Sequence, residues 1–244
     1  MGHPLHPILT DVPIGAWTMA AVFDVLTLFG RSEMERAADL SIDVGIAGAA
    51  AAALCGLADW SDTYGRPARV GVVHATCNTL ALTAYVASHF ARKRSRSAGM
   101  VASFAGFGMA VIGAGLGGHL VYGETQGVNH ATAENLPVEF IRLLPLEELM
   151  ENKPHRANLN GRNIALIRRE GSVYALLDSC AHLGGPLSQG TIEDCSIRCP
   201  WHGSRFSLEN GRVLDGPATL NQPTLEARVV NGYVEVRAFE SEAP

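Results

Sequence analysis

Four side chains in the second half of the chain form two short groups that could bind metal. The first group is Cys180-Ala-His182, and the second is Cys199-Pro-Trp-His202, with sixteen residues between the two groups. Each group pairs a thiolate, which is a soft ligand, with an imidazole, which suits iron, copper and zinc. Zinc fingers usually pair like ligands, whereas each group here is mixed. The pattern therefore favours a different metal centre, with zinc as the alternative.

The two groups resemble the cluster-binding motif of the Rieske family, in which two cysteines hold one iron of a [2Fe–2S] cluster and two histidines hold the other. Glycines follow both groups, at positions 184, 185 and 203, and the resemblance covers about residues 138–240. It implies a third loop over the cluster at Gly216-Pro217-Ala218. It also implies the cluster ligands, which are Cys180, His182, Cys199 and His202.

Two departures from the family pattern bear on the reduction potential. High-potential members carry a further cysteine in each cluster loop, joined as a disulfide, and the corresponding positions here are Gly185 and Trp201. Those members also place a tyrosine hydroxyl near a ligand sulfur, where this chain has Phe206, although Ser204 keeps one hydroxyl donor. Hydrogen bonds to sulfur raise the potential, so we expect a value in the lower part of the Rieske range of about −150 to +300 mV.

The other three cysteines are not needed for the cluster. Cys195 lies four residues before Cys199 and is interpreted as a small buried residue, with a spare ligand as the alternative. Cys55 and Cys77 fall in apolar segments, where we expect them to pack.

The first 130 residues contain four apolar stretches, each long enough to cross a bilayer as a helix. A soluble bundle would show polar stripes at helical spacing, and residues 47–54 and 101–116 show almost none. The stretches are residues 12–30, 41–58, 72–91 and 98–121. In the second half, short apolar runs alternate with turns, and Asn231-Gly232 indicates a hairpin. We therefore predict a four-helix transmembrane bundle at residues 1–130, followed by an all-β Rieske-type iron–sulfur domain at residues 131–244.

The first half resembles an uncharacterised bacterial family of four-helix membrane domains over about residues 3–130. The resemblance depends on His3-Pro-Leu-His6-Pro, on the segment from Asp11 to Trp17, and on Gly118-His-Leu-Val-Tyr-Gly123. This family implies a bacterial cell membrane as the location and lends little function.

The charges of the connecting segments predict the orientation in that membrane. The turns after the first and third helices share one face and carry six basic residues, whereas the opposite face carries Arg66 and Arg69. The positive-inside rule makes the more basic face cytoplasmic, which places the Rieske domain on the extracytoplasmic side. The six residues are Arg31, Arg36, Arg92, Lys93, Arg94 and Arg96.

Several histidines gather at the opposite face of the predicted bundle. His74 and His119 belong to adjacent antiparallel helices and should lie at a similar depth. Because membrane cytochromes hold haem b between paired histidines, these two are interpreted as candidate haem ligands. The alternatives are a quinone contact, histidines that cap helix ends, and a non-haem metal site. The last would draw on His3, His6, His74, His119, Asp11 and Asp59.

The function expected from these features is one-electron transfer by a membrane-anchored Rieske cluster. The net charge of −5 is spread along the chain and predicts no nucleic-acid partner; the expected partners are the lipid bilayer and a redox protein or quinone. A complete Rieske oxygenase needs a second iron held by two histidines and a carboxylate, and the soluble half offers only His155 outside the cluster. Two alternatives are a redox or metal sensor and the electron-donor component of an oxygenase or other oxidoreductase system.

Overall fold

The computed structural model describes residues 5–61, 63–133 and 136–239. Residues of the chain separate into a helical unit, Pro4–Gln126, and a β-rich unit that includes Gly127–Pro244. His3, one of the residues considered for a non-haem metal site, lies outside the described residues.

Four long helices make up the helical unit, and each is long and apolar enough to cross a membrane. The predicted four-helix architecture is therefore confirmed, but the helices extend beyond the apolar stretches. The first begins seven residues before its apolar stretch, and it tolerates Pro7 because a missing amide hydrogen in the first turn costs no helical hydrogen bond. The helices are α1 (Leu5–Leu28), α2 (Glu35–Ser61), α3 (Gly65–Arg92) and α4 (Arg96–Tyr122).

An aromatic pair fills the middle of the bundle. The rings of Trp17 on α1 and Tyr85 on α3 are stacked, with centroids 4.1 Å apart and planes at 10°. Both side chains are buried, and glycines on the neighbouring helices make room for them. A Cβ atom at Gly45 would clash with the Trp17 indole, and one at Gly106 would lie 3.0 Å from Tyr85 Cδ2.

An ion-pair network joins all four helices at one end of the bundle. Asp24 on α1 is fully buried, and Arg92 on α3 donates to its carboxylate through Nη1 at 2.9 Å. Arg92 also contacts Asp39 on α2 at 3.1 Å, and Arg96 on α4 contacts Asp39 at 2.7 Å. Because an unpaired charge in an apolar bundle is costly, these contacts hold the helix ends together.

Among the described residues of the second unit, ten strands form two antiparallel sheets, which confirms the all-β prediction. The larger sheet has the order β1-β10-β9-β4-β3-β2, and the smaller has the order β5-β6-β7-β8. Asn231 and Gly232, with φ of 50° and 78°, form the predicted hairpin turn between the last two strands. The strands are β1 (Ile141–Pro145), β2 (His155–Leu159), β3 (Arg162–Arg169), β4 (Ser172–Leu177), β5 (Thr191–Glu193), β6 (Ser196–Arg198), β7 (Arg205–Ser207), β8 (Val213–Asp215), β9 (Thr224–Val230) and β10 (Tyr233–Arg237).

The buried side chains of this unit form two cores. One contains residues of the larger sheet, among them Ile164, Leu166 and Val236. The other includes both predicted cysteine ligands together with buried apolar side chains such as Ile197 and Phe206. The loops that carry the cysteines are therefore anchored in a packed core.

Candidate metal centre

The first predicted ligand loop connects β4 to β5 and is closed by two backbone hydrogen bonds. The N–H of Cys180 donates to the carbonyl of Gly185 at 2.8 Å, five residues further on. The N–H of Gly184 donates back to the carbonyl of Cys180, also at 2.8 Å. These bonds fix the position of the cysteine relative to the strand that precedes it.

The second loop connects β6 to β7 and closes in the same way. The N–H of Cys199 donates to the carbonyl of Ser204 at 2.8 Å, and the N–H of Gly203 donates to the carbonyl of Cys199 at 3.1 Å. Gly184 and Gly203 occupy equivalent positions and have φ of 75° and 76°, a conformation that favours glycine. The two loops therefore hold their cysteines equivalently.

These loops bring the predicted ligands together in two pairs: the thiol of Cys180 with that of Cys199, and the imidazole of His182 with that of His202. Cys180 and Cys199 are buried in the core and are not joined as a disulfide. The imidazoles of His182 and His202 are half-buried, with ring centroids 5.0 Å apart and planes nearly perpendicular. A pair of buried thiols beside a pair of more accessible imidazoles suits a two-iron cluster with different ligands on each iron.

The two thiols interact directly, and this contact shifts their pKa values in opposite directions. The hydrogen bond from Cys180 lowers the pKa of Cys199 to about 6, and the N–H groups of Trp201 and His202 act in the same direction. The hydrogen bond with Cys199, followed by burial, raises the pKa of Cys180. Because the thiolate is the form that binds metal, the loop N–H groups that face Cys199 stabilise its ligand form.

One buried hydroxyl lies beside the ligand loops. Ser204 is fully buried, and its Oγ accepts a hydrogen bond from the N–H of Ala218, in the predicted third loop, at 2.9 Å. Since that oxygen is the acceptor in this bond, its own hydrogen is available to donate to another group. Phe206, also fully buried, provides no hydroxyl.

Gly185 and Trp201 close the two loops against each other without a covalent bond. A Cβ atom at Gly185 would lie 2.9 Å from Cys199 Sγ and 3.0 Å from the indole atoms Cγ and Cδ2 of Trp201. The indole therefore packs directly on the Gly185 backbone, and only glycine leaves it this space. Trp201 is otherwise 58% exposed, next to His202.

Gln222 supports the first loop and was missed by sequence reasoning. This buried residue accepts a hydrogen bond from the N–H of Ala181 at 2.8 Å. Its side-chain nitrogen donates to the carbonyl oxygens of Leu177 and Ser179, at 2.7 Å and 2.8 Å. A single glutamine far along the chain from the loop belongs to no motif, so the sequence contains no signal for this role.

The prediction that Cys195 is buried was wrong, because the structure exposes it. Residues 194 and 195 form the tight turn between β5 and β6, and Asp194 has a φ of 50°. A turn of this kind directs side chains to the surface. Cys77 is buried as expected, and Cys55 is half-buried.

The two histidines predicted to face each other in the bundle have different partners. His74 Nδ1 lies 2.9 Å from the carbonyl oxygen of Gly113, and a Cβ atom at Gly117 would lie 3.1 Å from the same ring. His119 is two residues beyond Gly117, about 200° round the helix. Its side chain is 47% exposed and contacts Glu124 at 3.3 Å. The structure instead brings the ring of His6 to 6.5 Å from that of His74.

The carboxylates considered for a non-haem site, Asp11 and Asp59, are exposed. Within the described residues of the helical unit, no three His, Cys, Asp or Glu side chains converge to hold a metal ion. Asp43 on α2 is also about half exposed, and its Oδ1 lies 2.6 Å from Nδ1 of His89 on α3.

Two known domain families match this chain. The Rieske [2Fe-2S] domain matches residues 139–229. The family described as "Predicted membrane protein (DUF2231)" matches residues 2–130, which is more than half of the chain.

Several curated relatives match the β-rich unit along most of their own length. The ferredoxin component of the naphthalene 1,2-dioxygenase system of Pseudomonas putida is 30% identical over 96 residues, or 39% of this chain and 92% of the relative. The ferredoxin component of the naphthalene 1,2-dioxygenase/salicylate 5-hydroxylase systems of Ralstonia sp. is 33% identical over 92 residues, which are 38% of this chain and 88% of the relative. The anthranilate 1,2-dioxygenase ferredoxin subunit of Burkholderia cepacia is 30% identical over 91 residues, which are 37% of this chain and 84% of the relative.

Proposed function

Since the chain belongs to the Rieske [2Fe–2S] family in its second half and to the DUF2231 family of predicted membrane proteins in its first, we propose that it is a membrane-anchored one-electron carrier. Several of its relatives are named as ferredoxin components or subunits of dioxygenase systems. The observation that carries the proposal is the pair of equivalent loops that present two buried thiols and two half-buried imidazoles. We place the boundary between the two domains at residues 130 and 131.

The four ligands have different tasks. Cys180 and Cys199 would hold the inner iron, and His182 and His202 would hold the outer one. When bound, a cluster of this type accepts and releases a single electron. The hydrogen bond from Cys180 and the N–H groups of Trp201 and His202 lower the pKa of Cys199 and so favour its thiolate form, while the imidazoles would form the edge at which electrons enter and protons exchange.

A protein partner would dock on this edge. The relatives are ferredoxin components of dioxygenase systems, so an oxygenase or another oxidoreductase is the partner class that we propose. Trp201 is the exposed aromatic side chain beside His202, and aromatic residues are enriched in protein interfaces. The helices would hold this exchange at the bilayer, with the Rieske domain on the extracytoplasmic side.

Two finer versions of this function stay predictions. In one, the electron is relayed to a haem or a quinone in the membrane domain. In the other, the chain is a redox or metal sensor whose membrane half is a binding module. A potentiometric titration of the membrane-bound protein distinguishes them, because a relay requires a second redox step besides that of the cluster.

The test of the main proposal uses matched cysteine variants of the full chain. Cys180→Ser and Cys199→Ser should lose iron and sulfide together, and with them the single reversible one-electron step. Cys195→Ser changes an exposed cysteine in the same domain and should keep all three. A full complement of iron and sulfide in either ligand variant would overturn the proposal.

A further inference from the structure

The helical unit consists of two equivalent helical hairpins, α1–α2 and α3–α4. Side chains on α1 meet side chains that lie 68 residues later, on α3. The three pairs form layers separated by 11 and then 7 residues, or about three and two helical turns, so each helix presents one continuous stripe. The pairs are His6 with His74 at 6.5 Å between ring centroids, Trp17 with Tyr85 at 4.1 Å, and Asp24 with Arg92 at 2.9 Å.

The other two helices repeat with an offset of 61 residues and support both histidines equivalently. His6 Nδ1 lies 2.8 Å from the carbonyl oxygen of Ala52 on α2, just as His74 Nδ1 lies 2.9 Å from that of Gly113 on α4. Four residues after each carbonyl there is a glycine that leaves space for the ring. A Cβ atom at Gly56 would lie 2.8 Å from His6 Cε1, and one at Gly117 would lie 3.1 Å from His74 Cε1.

We propose that His6 and His74 form a bis-imidazole site for one transition-metal centre on the pseudo-twofold axis between the hairpins. A carbonyl oxygen only accepts, so each Nδ1 that contacts one must carry the hydrogen. Each Nε2 then has a lone pair available. A second-shell carbonyl that fixes the ring in this tautomer is typical of histidines that bind metal.

The distance between the rings suits a shared metal. Metal–nitrogen bonds are about 2 Å long, so two imidazoles on opposite sides of one metal have ring centres roughly 6 Å apart. The observed separation is 6.5 Å, with planes at 86°, and rings on opposite sides of a metal are free to rotate to such an angle.

Asn78 is the polar neighbour that could compete for the His74 lone pair. Its Nδ2 lies 3.2 Å from Nε2 and 3.4 Å from Nδ1 of His74, and it donates to the His74 carbonyl oxygen at 3.0 Å. The shortest of these contacts is the one to the carbonyl oxygen. A metal at Nε2 of His74 would therefore replace only a longer contact of the Asn78 amide.

Two neutral imidazoles would bind a first-row transition metal, either as a single ion or as haem iron. Full-length protein with its cluster, purified in detergent, would be titrated separately with haemin and with Zn²⁺. The variants are His6→Gln and His74→Gln, because a glutamine side chain still donates to the helix carbonyl and keeps any purely structural role. His119→Gln is the matched control.

We expect wild type and His119→Gln each to bind one equivalent of haemin, of Zn²⁺ or of both. His6→Gln and His74→Gln should bind the same probe at least tenfold more weakly. Binding of haemin alone indicates haem iron, and binding of Zn²⁺ indicates an ion site. The proposal is overturned if wild type binds neither probe, or if all four proteins bind with equal affinity. The cluster signal, measured in every sample, should not change, so failure of this site is distinguishable from failure of the electron-carrier proposal.

Discussion

Ser204 and Phe206 occupy the same buried region, two residues apart, and differ in what they offer to a sulfur atom. The Ser204 oxygen is held by the N–H of Ala218, which orients its hydroxyl hydrogen away from that bond. Phe206 packs in the core with Cys180 and Cys199 and presents only carbon. The potential of the centre should therefore depend on a single side-chain hydroxyl.

Two substitutions should move the potential in opposite directions. Ser204→Ala removes a donor and should lower the midpoint by tens of millivolts, whereas Phe206→Tyr adds a hydroxyl and should raise it by a similar amount. Redox titration of each variant, followed by the optical spectrum of the cluster, measures the shift. A wild-type midpoint near the top of the Rieske range, or shifts of the same sign in both variants, contradicts this account.

At the scale of single residues, the candidate ligands could be named from the sequence, whereas the residues that support their loops could not. The four candidate ligands are marked by short-range spacing, which is visible in the chain. Gln222 reaches the loop of Cys180 only because the fold brings β9 beside β4, and no local pattern records that approach. Cys195 was misjudged because a free cysteine is usually a small buried residue, while the turn that exposes it depends on the pairing of β5 with β6.

At the scale of elements, the helices pack through glycines that leave room for particular large side chains. Gly45 accommodates the Trp17 indole, whereas a Cβ atom at Gly15 on α1 would have no neighbouring atom within 4 Å. The same substitution at these two sites therefore separates packing from helix propensity.

Gly45→Ala should destabilise the bundle by about 1–3 kcal/mol, because the added methyl group forces the indole out of its position. Gly15→Ala should be neutral or should stabilise by about 0.5–1 kcal/mol, since alanine is the better helix former. Thermal unfolding in detergent, monitored by circular dichroism, compares the two. Equal melting temperatures would show that the Trp17–Tyr85 layer is not tightly packed.

The existence of the four helices followed from their length and apolar composition, but their orientation about their own axes did not. His74 and His119 were predicted to face each other from depth alone. Gly113 and Gly117 define the side of α4 that faces His74, and His119 lies on another side. The spacing of 68 residues between His6 and His74 is present in the sequence. Only the matching contacts of the two rings show that these histidines occupy equivalent positions in the two hairpins.

At the scale of the whole molecule, the membrane orientation is the prediction with the widest consequence. Arg92 and Arg96 are engaged with Asp24 and Asp39, but paired basic residues still count in the positive-inside rule because acidic residues contribute little to it. A C-terminal alkaline phosphatase fusion should therefore be active and a C-terminal green fluorescent protein fusion dark. Fusions placed in the turn after α3 should give the reverse, and a fluorescent C-terminal fusion would contradict the orientation.

The central claim is that this chain holds a [2Fe–2S] cluster through two cysteines and two histidines. Pulsed electron paramagnetic resonance of the reduced full-length protein tests it most directly, because only histidine ligation places nitrogen nuclei next to the reduced iron. The account predicts coupling to the nitrogens of two histidines, His182 and His202, and no change in His155→Gln. A reduced cluster without histidine nitrogen coupling, or protein that contains zinc in place of iron and sulfide, would contradict it.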